Sequence, residues 1–538
     1  MKKLLLGNEA LAQGAIDAGI SGVYAYPGTP STEITEYIQR SKIAKELNIH
    51  SNWSVNEKTA MEAALGMSYA GKRTMTVMKH VGLNVAADVF MNMSVSGING
   101  GLVVVVADDP SMHSSQNEQD SRYYGKFAMI PMLEPSNQQE AYEITKYAFD
   151  LSEKFGLPVL IRMVTRLSHS RAGVTTGARV EQNKINLVKN ERQFQLIPMH
   201  ARGRYNHLID IQPDIKENSE NSFYNELING TDNSFGIITS GIAFNYLMEN
   251  FEDGKCPFPI LKISQYPLPK KSIKQLFNTC DKILVLEDGY PFIEEMISDF
   301  LDESKKVIGR LTGDVPRVGE LNPDNIGKAL GIEVIKSEKI PDVVSGRPPE
   351  LCTGCGHRDL FNAINELSKE ADTQKVFGDI GCYALGALPP FNSINTLIDM
   401  GASITMAKGA ADAGIHPSIA IIGDSTFTHS GMTGLLEAVI EDTQMTVIIS
   451  DNSAIAMTGA QDSSASGRLV NICKGIGVKE EHLKVLTPLH KNLNENIDII
   501  REELNYEGVS VIISQRPCVQ LSKEKKDNVK HLQEISIN

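Results

Sequence analysis

The stretch Ile419-Ala-Ile-Ile-Gly-Asp-Ser-Thr-Phe-Thr-His-Ser-Gly431, resumed at Thr446-Val-Ile-Ile-Ser-Asp-Asn-Ser-Ala454, decides the fold. Two short apolar runs, Ile419–Ile422 and Thr446–Ser450, each break off into a polar turn. Unbroken runs of this length are expected of parallel strands covered on both faces. Between them, Gly431–Asp442 carries Leu435, Leu436, Val439 and Ile440 at helical spacing. The pattern predicts a strand–turn–helix–strand unit with a right-handed crossover. Both polar turns then lie at the carboxyl ends of neighbouring strands, where α/β sheets take their ligands.

Those turns are Gly423-Asp424-Ser425 and Asp451-Asn452-Ser453-Ala454, with Asp424 and Asn452 separated by 28 positions. Side-chain oxygens from adjacent strand ends suit a hard divalent cation. Magnesium takes about six oxygens and draws several from a bound phosphate. Asp424 supplies charge, Asn452 an amide oxygen, and the Ala454 carbonyl a third ligand. Gly423 lets the backbone approach a diphosphate, whose charge also favours the helix start that follows. Either turn alone reads equally well as an ordinary strand end. The pair across one helix is what points to a metal–diphosphate site.

The same alternation extends towards the N-terminus. Residues 1–185 read as one α/β domain, with strands at Val23–Tyr26, Thr74–Met78 and Leu102–Ala107. A helix is expected over Glu57–Tyr69, with Ala60, Ala63, Ala64 and Met67 on one small-residue face. Met1–Gly7 reads as a buried first strand, too short in its apolar part for a signal peptide. Val180–Asn233 is polar and Asn-rich and reads as an irregular connector. A second unit, 186–338, follows with strands Ser234–Thr239 and Lys282–Leu286 and a helix Ile242–Asn250. Pro341–Pro349 is the expected linker to a third unit, 339–538.

Composition narrows the function classes. With 41% apolar and 22% charged residues, the chain of 538 is an ordinary globular protein of about three domains. Its net charge of −14, without a Lys/Arg stripe, argues against nucleic acid or an anionic membrane as partner. The longest apolar runs, such as Gly101–Ala107, are strand-length, so none is expected to span a membrane. Seven cysteines without an export signal argue for reduced thiols and a cytoplasmic chain.

The strings Ile422–Gly431 and Ser450–Gln461 resemble the cofactor domain of the large (alpha) subunit of indolepyruvate:ferredoxin oxidoreductases. The resemblance implies an α/β thiamine-diphosphate-binding fold. Pyrimidine-binding and diphosphate-binding parallel-sheet domains would flank a middle domain like the transketolase C-terminal domain. It adds Ser425, Thr458, Gly459 and Gln461 to Gly423, Asp424 and Asn452 as cofactor-binding residues. The usual second glycine of the thiamine-diphosphate motif is Ser425 here.

Ser54-Val-Asn-Glu57-Lys-Thr-Ala-Met-Glu-Ala-Ala-Leu-Gly66 resembles the family's pyrimidine-binding domain and marks Glu57 as the activating carboxyl. Thiamine diphosphate needs one protein carboxyl near its pyrimidine ring, in a fairly apolar pocket; the cofactor carries the rest of the chemistry. Without the family, Glu57 reads as an acid placed at a helix start for dipole reasons. Glu62 reads as a solvated or partner-facing residue. Tyr26-Pro-Gly-Thr-Pro-Ser-Thr-Glu33 resembles the Tyr-Pro-x-Thr-Pro turn of 2-oxoacid:ferredoxin oxidoreductases, which implies that the Thr29 hydroxyl meets the substrate carboxylate. Met78–Asp88 and Ala107–Arg122 also follow the family, making His80, His113 and Arg122 candidates for the oxo-acid carboxylate or carbonyl.

Cys352-Thr-Gly-Cys355 is a C-x-x-C pair, and Cys382 and Cys518 follow in the same unit. Four thiolates suit zinc or an iron–sulfur cluster, and the pair alone also suits a redox disulfide. The family resemblance implies a [4Fe-4S] cluster at Cys352, Cys355, Cys382 and Cys518. Cys256, Cys280 and Cys473 are expected to be buried thiols. Family members continue into a ferredoxin-like tail with two C-x-x-C-x-x-C-x-x-x-C-P runs. No such run precedes Asn538, so a separate ferredoxin or ferredoxin-like acceptor is expected. A charged helix is expected over Leu521–Gln533.

The resemblance therefore implies oxidative decarboxylation of aryl 2-oxo acids to acyl-coenzyme A. It also implies a smaller beta subunit on the coenzyme A side and dimerised alpha subunits. Two other readings remain: a non-oxidative thiamine-dependent decarboxylase, and a non-catalytic subunit of such a complex.

Overall fold

The computed structural model describes residues 1–298, 301, 306–334, 339–369 and 374–528. The chain forms two compact units, Met1–Glu338 and Lys339–Asn538. Both are mixed α/β, built on largely parallel sheets.

The first unit holds two large sheets. One runs Gly22–Ala25, Thr74–Lys79, Leu102–Asp108, Val159–Val164 and Met132–Leu133 in parallel, and Gln265–Tyr266 closes the edge in the antiparallel sense. Its central strand Leu102–Asp108 is buried throughout, and alternate residues feed opposite faces. Val104 and Val106 pack with Met78, Phe90 and Tyr266, whereas Val103 and Val105 pack with Met75, Val77 and Phe149. Each such side chain contributes about 1.5–3 kcal/mol by leaving water. The other sheet runs Val307–Ile308, Ile283–Leu286, Gly236–Ser240 and Ile260–Ile263 in parallel, with Glu226–Ile228 antiparallel at the edge.

The second unit carries a six-stranded, wholly parallel sheet. Its order is Thr396–Leu397, Lys375–Gly378, Ser418–Gly423, Met445–Asp451, Val509–Gln515 and Leu483–Leu486. The two strands expected from the opening stretch are neighbours, in the register Ile419↔Thr446 to Gly423↔Ser450. The helix between them is Met432–Ile440, preceded by a π-helical turn at Phe427–Gly431.

Four expectations need correction. Lys2–Leu6 is a strand, but only Leu5 is buried; it pairs with Arg171–Thr175 in a two-stranded ribbon at the surface. The presumed connector 180–233 contains helices Pro198–Asp210 and Gln212–Glu220 and the edge strand Glu226–Ile228. Among the apolar residues of Met432–Ile440, Leu435 faces the core, whereas Leu436 and Ile440 are exposed. On Glu57–Tyr69 the buried face is Glu57, Ala60, Met61, Ala64 and Ser68, with Ala63 outside. The expected helix Leu521–Gln533 lies partly outside the described residues. No helix among the described residues is long and apolar enough to cross a membrane.

Candidate active site

The Gly423↔Ser450 register sets Asp424 and Asn452 just past the ends of adjacent parallel strands. Asp424 is buried, and its Oδ2 has no hydrogen-bond partner. Burial pushes its carboxyl up to about 8, and the neighbouring Asp451 adds to the effect. A buried carboxylate oxygen left without a donor is costly unless a cation completes it. The Asp424 environment therefore suits the magnesium ion of a bound diphosphate. Asn452 Oδ1 accepts the Ala454 N–H at 3.0 Å, which curls the turn so that both residues belong to one loop. Asp451 is spent on that loop, accepting from Ser453 N, Ser453 Oγ and Gln515 Nε2 at 2.9–3.0 Å. Gly423 has a local reason: a Cβ there would stand 2.5 Å from the Tyr383 ring.

Beyond Asn452 the chain makes a tight hairpin, Ala454–Ile455 against Gln461–Asp462. Thr458 donates its hydroxyl to Gln461 Oε1 at 2.6 Å, and Gln461 Nε2 returns to the Thr458 carbonyl at 2.9 Å. Gly459 sits between them with φ +126°, a conformation that L side chains resist. Thr458, Gly459 and Gln461 are thus one local structure. Asp379, which the sequence reading passed over, ends the strand Lys375–Gly378. Its carboxylate accepts from the backbone of Ile380, Gly401 and Ser403, fixing the turn that leads to Cys382.

Cys352, Cys355, Cys382 and Cys518 line one cavity of about 100 Å³, together with Asn452 and Arg516. All four are free thiols. Burial raises Cys355 and pushes Cys382 up to about 12, and the other sulfurs of the quartet add to both shifts. His357 is buried, pushed down to about 4 by desolvation, and its Nδ1 lies 3.1 Å from Cys355 Sγ. Among the described residues, no three His, Cys, Asp or Glu side chains form a group that could hold a metal ion. Of the remaining cysteines, Cys280 and Cys473 are buried and Cys256 is half-buried.

In the first unit, Glu57 opens its helix behind the N-cap Asn56 and is buried. Its carboxyl lies against Gly82, where a Cβ would come within 2.6 Å of Oε1. Glu62 is exposed and paired with Lys58. Thr29 is half-buried in the turn that ends in cis-Pro30. Ser114 Oγ donates to the Thr29 carbonyl at 3.4 Å, tying that turn to the loop after Leu102–Asp108. His80 is buried, with Nε2 3.2 Å from the Asn117 carbonyl and Nδ1 lacking any partner.

The remaining substrate candidates are drawn elsewhere. His113 is exposed, with Nε2 3.1 Å from Glu320. Arg122 is fully buried, paired with Asp120, with Glu287 at 2.8 Å and with Glu134 at 3.7 Å. It also donates to the Tyr290 carbonyl at 3.0 Å. With those partners its guanidinium serves the interior, as does that of Arg162, which pairs with Asp108 and Glu134.

A family model described as pyruvate flavodoxin/ferredoxin oxidoreductase, thiamine diphosphate-binding, matches residues 13–221. Another, the C-terminal thiamine-pyrophosphate-binding domain of thiamine pyrophosphate enzymes, matches 379–513. The indolepyruvate oxidoreductase subunit IorA of Archaeoglobus fulgidus is 39% identical over 97% of this chain and 87% of its own length. That of Pyrococcus horikoshii is 38% identical over 98% of this chain and 88% of its own. A solved 2-oxoglutarate:ferredoxin oxidoreductase from Magnetococcus marinus is 17% identical, with a TM-score of 0.46, over 57% of this chain and 62% of its own. By its likeness to the IorA subunits over nearly the whole of its own length, and by the two thiamine-diphosphate matches, this chain belongs to the indolepyruvate oxidoreductase IorA-subunit family of thiamine-diphosphate-dependent oxidoreductases.

Proposed function

We propose that this chain is the thiamine-diphosphate subunit of a 2-oxo acid:ferredoxin oxidoreductase that converts aryl 2-oxo acids of the indolepyruvate type to acyl-coenzyme A. The observation that carries this reading is the shared cavity of Cys352, Cys355, Cys382, Cys518 and Asn452. Non-oxidative decarboxylation has no use for an electron exit beside the metal–diphosphate loop. Oxidative decarboxylation does.

Asp424, Asn452 and the Ala454 carbonyl are the proposed magnesium ligands. Gly423, Ser425, Thr458, Gly459 and Gln461 are the proposed surroundings of the diphosphate. Thiamine diphosphate, when bound, would supply the nucleophilic carbon, and a [4Fe-4S] cluster held by the four cysteines would supply one-electron oxidation. Glu57 holds a buried carboxyl in place to hydrogen-bond the pyrimidine ring. Thr29 presents its hydroxyl to the substrate carboxylate, and the unpaired Nδ1 of His80 is available to the oxo group.

Zinc requires four ligand atoms at about 2.0–2.3 Å from one point. A [4Fe-4S] cluster would take the same four thiols, which line one cavity, each on its own iron, and metal analysis separates the two. Iron loading must then displace the thiol protons, because only thiolates ligate. The three-domain division 1–185, 186–338 and 339–538, a cytoplasmic location, dimerised alpha subunits, a smaller coenzyme A-side subunit and a ferredoxin-type acceptor belong to the same proposal.

The test is anaerobic purification of the chain with its partner, followed by metal and sulfide analysis and viologen reduction with indolepyruvate and coenzyme A. The expected result is about four iron and four sulfide per chain. Cys382→Ser is expected to lose iron and viologen reduction while keeping thiamine diphosphate. Zinc in place of iron, with aldehyde released in the absence of coenzyme A, would show a non-oxidative decarboxylase instead.

A further inference from the structure

Lys79 closes the strand Thr74–Lys79, at the carboxyl edge of the first sheet. Its stem runs along Gly28, whose absent side chain would meet Lys79 Cβ, Cγ and Cδ at 3.6–3.7 Å. The neighbour of Gly28 is Thr29. Lys79 Nζ donates to the Ser114 carbonyl at 3.0 Å, and Ser114 Oγ in turn donates to the Thr29 carbonyl. The ammonium, the Thr29 turn and the Ser114 loop are therefore one cluster, and all of it lies within the first unit.

Lys79 is half-buried, and its ammonium is poorly matched. It has three donors, and among the described residues one hydrogen bond accounts for one of them. It makes no ion pair within that set. Asp109 and Glu57 act on it from a distance, and Asp109 is already engaged by Ser114 N, Ser115 Oγ and Thr165 Oγ1 at 2.6–2.8 Å. Desolvation consequently holds the lysine down at about 8. Buried charges are normally paired. A half-buried cation with donors to spare beside the proposed substrate-contact turn is placed to take an anion.

We propose that Lys79 receives the carboxylate of the 2-oxo acid beside the Thr29 hydroxyl, a role that rests on the oxidoreductase reading above. Arg122, the cation that the sequence suggested, has its guanidinium engaged by interior partners. Lys79 binds without bond-making: the carboxylate is still present during attack on the 2-oxo carbon, so the attraction is shared by bound substrate and that addition step. Its loss should therefore raise KM more than it lowers kcat.

The experiment compares wild type, Lys79→Met and Lys79→Arg in the assembled complex, with phenylpyruvate as probe across pH 6–10. Lys79→Met is expected to raise KM on the order of 10²-fold, with kcat changed less than about tenfold. Its dissociation constant for thiamine diphosphate should stay at the wild-type value. Lys79→Arg should restore most of the affinity. The ammonium is charged below its pKa, so wild-type kcat/KM should fall as pH rises through about 8. Lys79→Arg should lack that alkaline limb, which separates Lys79 from the other titratable groups around it, Asp109, Glu57 and His80. An active wild type with an unchanged KM in Lys79→Met overturns this assignment alone. A wild type inactive on every 2-oxo acid overturns both this assignment and the oxidoreductase reading. Should Lys79→Met fail to assemble, an alkaline limb that persists near pH 8 in Lys79→Arg overturns the assignment.

Discussion

Glu57→Gln is expected to lower turnover by about 10²–10⁴-fold while leaving thiamine-diphosphate content at the wild-type level. The glutamine is nearly isosteric, so the close contact with Gly82 and the helix start at Asn56 both survive. What disappears is the carboxyl proton, and with it the hydrogen bond proposed to activate the pyrimidine ring. Cofactor affinity is assigned to Asp424 and Asn452 in the other unit, so it should not follow the activity. Single-turnover kinetics alongside fluorometric cofactor analysis separates the two quantities. Loss of cofactor in step with activity would move Glu57 from chemistry to binding.

Arg122→Met should act on stability instead. Arg122 and Arg162 lie fully buried among Asp108, Asp120, Glu134 and Glu287. Burial pushes Glu287 up to about 7 even with Arg122 beside it, so this cluster already holds more acid than base. Removing one guanidinium strands Asp120 and Glu287 without their nearest cation. Breaking a buried pair from one side costs about 3–5 kcal/mol. The expected result is an early thermal transition of the first unit, with KM for 2-oxo acids unchanged in whatever protein remains folded. A stable variant with a selectively raised KM would return Arg122 to the substrate.

These contrasts show what a linear reading reaches. The strands around Asp424 and Asn452 were legible because Ile419–Ile422 and Thr446–Ser450 are buried on both faces, which leaves apolar runs without alternation. Helices Pro198–Asp210 and Gln212–Glu220 were not legible. They bury only Leu208, Ile215 and Ser219, so they carry almost no apolar period. The surviving signal was proline in the first turn of each. On Met432–Ile440 the apolar residues outnumber the buried positions, and spacing alone could not say that Leu436 and Ile440 face outward.

The site shows the same division. Cys382 and Cys518 lie far in sequence from the Cys352/Cys355 pair yet line the same cavity, and the C-x-x-C pair alone points to that chemistry. The buried ion pairs of Arg122 are not legible in the sequence, because its partners Glu134 and Glu287 come from distant segments that no local pattern links to it. Lys79 was overlooked for the opposite reason. A lysine at a strand end reads as solvated, and only the packing of Gly28 and Ser114 against it shows that it is half-buried.

Asp424 and Asn452 are proposed to grip the metal of a bound diphosphate. Calorimetric titration of thiamine diphosphate into cofactor-free complex, with and without magnesium, tests this most directly in wild type and Asp424→Asn. Wild type should bind tightly only when magnesium is present. Asp424→Asn should bind at least about 100-fold more weakly, since even outer-sphere losses at metal sites reach that scale. Equal affinity in the two proteins, or binding indifferent to magnesium, would contradict it.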